Sequence, residues 1–362
     1  MVYRHRGTKV PKSLTWLLKE IRPLDREVME AARARQDQLT KPRGSLGRLE
    51  ELSIKIAGIK GEVVPTVRHK AIITLAGDHG VVAEGVSAYP QEVTAQMVYN
   101  FLRGWAAINV LARHVGARVV VVDMGVATEL KWHPQLISKR IALGTRNIAQ
   151  GPAMSQEEAL QAIEAGIEIV EAEISRGLDI VGTGDMGIGN TTPSSAICAA
   201  ITGVSVREVT GRGTGLNDAR MAHKVEVIER ALAVNRPDTK DPLDVLAKVG
   251  GFEIGGLVGV MLGAAFHRIP IVIDGFISGA AALIATELSP GLKDYLIASH
   301  VSAEVGHWAM LHHMGLEPLL DLELRLGEGT GATLGISLAE ASTKILAEMA
   351  TFAQAGLSEE KE

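Results

Sequence analysis

Short runs of Val, Ile, Leu and Ala alternate along this chain with longer stretches in which apolar residues recur every third or fourth position. The runs fall at 70–76 (KAIITLA), 117–123 (ARVVVVD), 178–182 (LDIVG), 269–274 (IPIVID) and 295–299 (YLIAS). Each has the length of a strand, and their near-continuous apolar character suits strands covered on both faces. The helical periods between them predict strand–helix–strand units and a parallel sheet. The clearest helix spans 155–176. It opens on Ser155 with Glu158 three residues on, a reciprocal cap, aligns Ile163, Ile167, Val170 and Ile174, and ends at Gly177. The ends of the chain differ. Residues 46–59 align Leu49, Leu52, Ile56 and Ile59, and 332–354 form an alanine-rich helical stretch. The expected organisation is a Rossmann-like α/β domain at 61–330, its parallel sheet flanked by helices. A smaller helical domain is expected from the N-terminal segment 1–60 and the C-terminal segment 331–362.

Polar residues follow every run. They are Gly77-Asp78-His79-Gly80, Asp123-Met124-Gly125, Gly184-Asp185-Met186-Gly187, Asp274-Gly275 and His300-Val301-Ser302. In a parallel sheet these loops gather at the carboxyl edge, where open α/β sheets bind ligands. Asp and Gly are also common turn formers; it is their repetition after several strands that favours a site.

Three segments carry candidate chemistry. "GTGDMGIGNTTPSSA" (182–196) satisfies G-x-G-x-x-G through Gly182, Gly184 and Gly187, but a dinucleotide site also expects an acid about twenty residues on. No strand ends in an acid there, and no G-K-[ST] follows to make a Walker loop. What remains is an anion site, with glycine-exposed amides at a helix N-terminus, phosphate as the expected anion and Asn190 and Thr191 as further donors. "HVSAEVGHWAMLHH" holds His300, Glu304, His307, His312 and His313. On a helix, positions 300, 304 and 307 would share a face as metal ligands do, although solvated or capping histidines are the favoured reading. "RLGEGTGA" (325–332) sets one acid, Glu328, between two glycines. It is either an incidental turn residue or a carboxylate on display.

Composition narrows the classes. The 362 residues are 46% hydrophobic and 22% charged, an ordinary globular balance with ample material for a core. A net charge of −5 gives no basic field for nucleic acid, and 4% aromatic residues leave few stacking platforms for single strands. No apolar run approaches the ~18 residues of a membrane span. The basic start (Arg4, Arg6, Lys9, Lys12) lacks the apolar core of a signal peptide. Cys198 is the only cysteine, which excludes an intrachain disulfide; within "AICAAI" it reads as a small buried hydrophobe. A cytoplasmic location is expected.

With these loops in hand, the chain strongly resembles the nicotinate-nucleotide–dimethylbenzimidazole phosphoribosyltransferase family. The matching stretches are "KPRGSLGRLE" (41–50), "AGDHGVVAEGVSAYPQEVTAQMV" (76–98), "GTRNIAQGPAMS" (144–155) and "GDMGIGNTTPSSA" (184–196). They continue through "VGGFEIGG" (249–256), "DGFISGAAAL" (274–283), "SHVSAEVGH" (299–307) and "RLGEGTGA" (325–332). The resemblance implies transfer of phosphoribose from nicotinate mononucleotide to 5,6-dimethylbenzimidazole. The products would be nicotinate and α-ribazole 5′-phosphate, for the lower ligand of cobalamin. It implies small-molecule substrates, a homodimer, and no cofactor or metal, since a pyridinium leaves readily as a neutral ring. The implied general base is Glu328, with Gly327 and Gly329 letting a flat ring lie close to the backbone. Phosphate is implied at the amides of Gly187, Ile188, Gly189, Asn190 and Thr191, with Lys224 and Ser302. The base pocket is implied at Ser87 to Gln96, with Gln96 as hydrogen-bonding side chain, and a ribose contact at Asp274. The family commonly has Glu where this chain has Asp185; the shorter side chain argues against a base role there and leaves a ribose contact open.

Three rivals remain distinguishable. A nicotinamide-dependent oxidoreductase would need the missing ribose-binding acid. A transferase using pyrophosphate-activated ribose usually carries adjacent acids after a strand, whereas only single acids occur here. A nucleotide-binding module without turnover would have no use for Glu328.

Overall fold

The run at 70–76 becomes β1 (Lys70–Gly77), buried along its entire length. It lies in a six-stranded sheet with β2 (Ala117–Gly125), β3 (Leu136–Ser138), β4 (Ile180–Met186), β5 (Ile271–Ile273) and β6 (Leu296–Ala298). The order is β3-β2-β1-β4-β5-β6 and every pair is parallel. That is a doubly wound α/β sheet, as the alternation predicts, with its reversal of direction between β1 and β4. The computed structural model describes residues 14–358 apart from 214 and 216. Arg4, Arg6, Lys9 and Lys12, and the outermost parts of both terminal segments, lie outside the described residues.

Several boundaries move for physical reasons. The strand expected at 178–182 starts at Ile180 and continues to Met186, because Gly184, Asp185 and Met186 stay in register with Thr74, Leu75 and Ala76 of β1. Two short strands, β7 (His300–Val301) and β8 (Leu320–Asp321), pair apart from the main sheet.

Helices cover both faces. Before the sheet come α1 (Leu14–Glu20), α2 (Arg26–Gln38) and α3 (Arg48–Lys60); α4 (Val93–Leu102) and α5 (Ala107–Val115) link β1 to β2, and α6 (Gln156–Ser175) leads into β4. Between β4 and β5 run α7 (Thr191–Thr202), α8 (Val206–Val209), α9 (Asp218–Asn235), α10 (Pro242–Val249) and α11 (Phe252–Phe266). After β5 come α12 (Phe276–Leu288), α13 (Gly306–Met314), α14 (Thr330–Glu348) and α15 (Phe352–Ala355). On one face Ile56 of α3, Val98 of α4, Ile108 of α5 and Ile336 of α14 meet Ile72 and Val121 of the sheet. On the other, Ile163 of α6, Leu257 of α11 and Leu283 of α12 share a core with Ile73 and Val122.

The Ser155 cap forms as expected: its hydroxyl accepts from Glu158 N at 3.1 Å, and Ser155 N donates to the Glu158 carboxylate at 2.6 Å. Helices α6 and α11 touch backbone to backbone, since a Cβ on Gly166 would overlap the Gly256 carbonyl and one on Gly259 the Ile163 carbonyl. A small separate cluster of Ala32, Ile54, Ala57 and Leu346 joins α2, α3 and α14. Cys198 is fully buried in α7, where burial pushes its thiol up to about 12.

Candidate active site at the carboxyl edge of the sheet

The loops leaving β1 and β4 depart in opposite directions, and the cleft between them is where the candidate residues collect. A cavity of about 350 Å³ opens there. Its walls include Ser87, Asp185, Gly187 to Thr191, Ser302 and Gly327. Most of the expected residues are therefore brought together from segments more than two hundred positions apart.

Glu328 sits immediately behind that wall. It is only 4% exposed and has a φ of +64°, a left-handed conformation that costs a non-glycine residue energy and is retained mostly at functional sites. Gly327 and Gly329 are left-handed as well, at +79° and +94°. The turn is pinned from three sides: Glu328 N donates to Asp185 O at 3.2 Å, Thr74 Oγ1 donates to Glu328 O at 3.0 Å, and Gly329 N donates to Asp274 at 3.1 Å. Its carboxylate reaches toward the first turn of α5, accepting from Ile108 N at 3.4 Å. Burial, above all, pushes the Glu328 pKa up to about 7; the Asp274 charge adds to the effect and the Ile108 amide works against it. A carboxylate poised there takes a proton near neutrality.

The glycine segment is built differently from a dinucleotide loop. Gly182 and Gly184 lie inside β4, where a Cβ on Gly182 would meet Ile72 and Ala332, and one on Gly184 would overlap the carbonyl of Glu328. These two glycines admit the Glu328 turn and α14 against the strand. Their close packing agrees with setting the dinucleotide reading aside. Gly187 and Gly189 do form a turn ahead of α7, with Asn190 at the helix cap. Within it Ile188 N is committed to Thr94 Oγ1 at 3.0 Å and Asn190 N to Gly187 O at 3.1 Å. The amides left for an anion are those of Gly187, Gly189 and Thr191. The expectation for Ile188 and Asn190 is thus corrected: their amides shape the turn.

Lys224 is fully buried on α9. Its ammonium donates to Thr191 Oγ1 at 2.7 Å and Gly211 O at 3.3 Å, directly beneath the turn. Burial brings its pKa down to about 8, opposed by the charge of Glu304. Ser302 Oγ accepts from Glu304 N at 3.2 Å, which leaves its hydroxyl proton for a ligand. Asp185 accepts from the Asn190 side chain at 3.0 Å. Burial first, then Asp274, Glu253 and Glu328, raise the pKa of Asp185 well above the usual carboxylate range.

Other expectations change. Asp274 has both oxygens on backbone amides, of Gly329 at 3.1 Å and Ala332 at 2.9 Å. It holds the Glu328 turn and caps α14, and it does not line the cavity. Gln96 is exposed on α4 and lies outside the cavity wall. Asp123 is consumed by Gly125 N, Val126 N and Arg140. His300, Glu304 and His307 do not share a helix face: they occupy β7, a turn and α13. His307 Nδ1 accepts from Ser302 N at 2.9 Å, and burial, with His300 beside it, takes its pKa down to about 3. No group of three His, Cys, Asp or Glu side chains able to hold a metal occurs among the described residues.

Sequence reasoning missed the buried pair His79 Nε2–Glu253 Oε1 at 2.8 Å, which lies under Gly187. Burial works against charge on His79, but Glu253 more than offsets it and raises the pKa. "GDHG" and "FEIGG" were the visible signal, and only their separation of 174 positions hid the contact.

A doubly wound sheet with a glycine turn at a helix N-terminus, a buried lysine and a carboxylate whose pKa is pushed up to about 7 at its carboxyl edge fits the class of phosphoribosyl-transferring enzymes. The family model described as "Phosphoribosyltransferase" matches residues 21–357. The nicotinate-nucleotide–dimethylbenzimidazole phosphoribosyltransferase of Desulforudis audaxviator (strain MP104C) is 64% identical over 344 residues, covering 95% of this chain and 98% of its own. That of Chloroflexus aggregans is 61% identical, covering 96% and 99%. The crystal structure of CobT from Thermus thermophilus superposes with a TM-score of 0.89 at 49% identity, covering 92% of this chain and all of that one. This chain belongs to the nicotinate-nucleotide–dimethylbenzimidazole phosphoribosyltransferase family.

Proposed function

We infer that this protein transfers the phosphoribosyl group of nicotinate mononucleotide to 5,6-dimethylbenzimidazole, giving nicotinate and α-ribazole 5′-phosphate in cobalamin lower-ligand synthesis. The observation that carries this reading is Glu328: a buried carboxylate with a pKa near 7, in a strained turn against the cavity wall. One benzimidazole nitrogen attacks the anomeric carbon from the face opposite nicotinate. The C–N bond to the pyridinium breaks, and its electron pair stays on the departing ring nitrogen. The proton on the second benzimidazole nitrogen passes to Glu328. The 5′-phosphate is met by the amides of Gly187, Gly189 and Thr191 at the start of α7, where the helix dipole favours an anion, with Lys224 below and Ser302 beside. Asp185, held by Asn190, faces the same cavity as the candidate ribose contact, and Ser87 stands on the side assigned to the base.

A cytoplasmic site of action accords with the reaction, and no helix among the described residues is long and apolar enough to cross a membrane. The described parts of the two terminal segments meet in the Ala32, Ile54, Ala57 and Leu346 cluster, which supports grouping them as one helical unit; through Ile56 and Ile336 that unit packs on the sheet and shares its core. A homodimer is supported by large apolar side chains left exposed, Trp105 at 70% and Trp132 at 86% among them. Incubating the protein with nicotinate mononucleotide and dimethylbenzimidazole should release nicotinate in equal amount to α-ribazole 5′-phosphate. Release of nicotinate without the ribazole product would reduce the protein to a nucleotide hydrolase.

A further inference from the structure

The sequence singles out Glu304 as a metal-ligand candidate, and the structure gives it a different setting. Glu304 lines the cavity yet is only 6% exposed. One carboxylate oxygen accepts from Gly213 N at 2.9 Å; the other is buried without a hydrogen-bond partner, packed so tightly on Gly211 that a Cβ there would overlap it. From the opposite side Lys224 donates to Gly211 O at 3.3 Å. A Cβ on Gly213 would lie 3.0 Å from Thr191 Oγ1 and 3.2 Å from Lys224 Nζ. The backbone at 211 and 213 is thus gripped between an ammonium and a carboxylate, and neither residue can carry a side chain without displacing one of them.

A carboxylate beside a site for phosphate is unfavourable unless it does something for binding. An orphaned buried oxygen is a further cost to stability. We propose that Glu304 is a positioning residue for the nucleotide phosphate: it clamps Gly213 beside Thr191 and keeps the buried Lys224 ammonium charged. This rests on the reading above, in which Lys224 and the 187–191 turn receive the 5′-phosphate. An ammonium removed from water tends to lose its proton. A nearby carboxylate opposes that loss: burial brings the Lys224 pKa down to about 8, and the Glu304 charge acts in the opposite sense. Other groups among the described residues surround this spot. From α7 comes the Thr191 hydroxyl, and from α13 the neutral His307. The segment before α14 brings Arg325, whose guanidinium donates to Gly213 O at 3.4 Å and adds to the positive side. Within the cavity, β7 contributes His300 and β4 contributes Asp185.

Two substitutions separate the two roles. Glu304→Gln keeps an oxygen for Gly213 N and removes the charge; Glu304→Asp keeps the charge and draws it back from Gly213. The KM for nicotinate mononucleotide is measured for each against wild type at pH 6.5 and pH 8.0, with the phosphate-free riboside as control. Loss of the Glu304 charge lowers the Lys224 pKa from about 8, so the Gln-to-wild-type KM ratio should stay near one at pH 6.5 and rise severalfold at pH 8.0. The Asp variant should show a raised KM whose ratio to wild type does not change with pH, and the riboside should respond to neither. A Gln ratio independent of pH would leave Glu304 a loop clamp alone. A lower KM for the Gln variant at both pH values would mean that the carboxylate merely repels phosphate. Either result overturns the proposal. Wild type that releases no nicotinate would instead sink the underlying assignment.

Discussion

Glu328 is where conformation, burial and protonation converge on one residue. Glu328→Gln keeps the shape of the side chain, so the turn pinned by Asp185, Thr74 and Asp274 should survive. Turnover should fall about 10²–10⁴-fold, the range for loss of a general base; a Gln variant with wild-type kcat would remove Glu328 from the mechanism. In wild type, kcat should rise with pH until about 7, because the base must first lose its proton. Stability runs the other way. The carboxyl is protonated more readily in the folded than in the unfolded chain, so folding stability falls as pH climbs from the ordinary glutamate range through about 7. The Gln variant avoids that cost and should be more stable than wild type at pH 8, by on the order of 3 kcal/mol, with little difference near pH 4. Thermal melts at the two pH values read this directly. Lys224→Ala removes a charge-assisted contact worth about 1.5–3 kcal/mol and should raise the nucleotide KM roughly ten- to a hundredfold. The KM for dimethylbenzimidazole should scarcely move; an equal rise in both would place Lys224 outside the phosphate site.

At the scale of elements, positions without side chains decide how closely pieces meet. Gly259 of α11 lies against the Ile163 carbonyl of α6, and Gly184 of β4 against the Glu328 carbonyl. Gly259→Ala forces backbone against backbone and should cost about 1–3 kcal/mol. Its urea midpoint should drop, while the KM of whatever remains folded stays unchanged; an unaltered midpoint would disprove the close contact. The same feature explains what was legible in the sequence. Five strands and the Ser155 helix could be read because continuous apolar runs and a reciprocal cap are local signals. Strand β3, three residues long and partly exposed, carries no such signal, and neither do the two-residue strands β7 and β8. Gly182 and Gly184 match a nucleotide-loop pattern although they serve strand packing, since a short motif records spacing but not which element it occupies. The helical face weighed as an alternative for His300, Glu304 and His307 does not form, for a similar reason: chain reversal between β7 and α13 leaves no periodic mark.

For the whole molecule, the sheet order brings Asp78, Asp185, Asp274 and Glu328 to one edge, and that convergence was foreseeable once a parallel sheet was inferred. Which acid does what was not. Asp274 and Asp123 are absorbed by backbone amides and an arginine, partnerships that only three-dimensional packing creates. Gln96 poses the complementary problem, exposed on α4 and outside the cavity wall of the single chain. Close by, Lys131 N donates to Tyr99 of α4 at 2.8 Å, which fixes the loop bearing Trp132 to the helix that runs on toward Trp105. Trp132 and Trp105 are exposed to 86% and 70%, the latter with the Arg103 guanidinium over its ring, and large exposed aromatic side chains suit an interface. Covering them with a second copy is the reading adopted above. Sedimentation should then give twice the 38.5 kDa of one chain. Replacing Trp105 and Trp132 together with Ser should shift the protein toward monomer without lowering its helix content. If that double variant sediments like wild type, the dimer forms through another face; if wild type itself sediments at the mass of one chain, the homodimer is wrong.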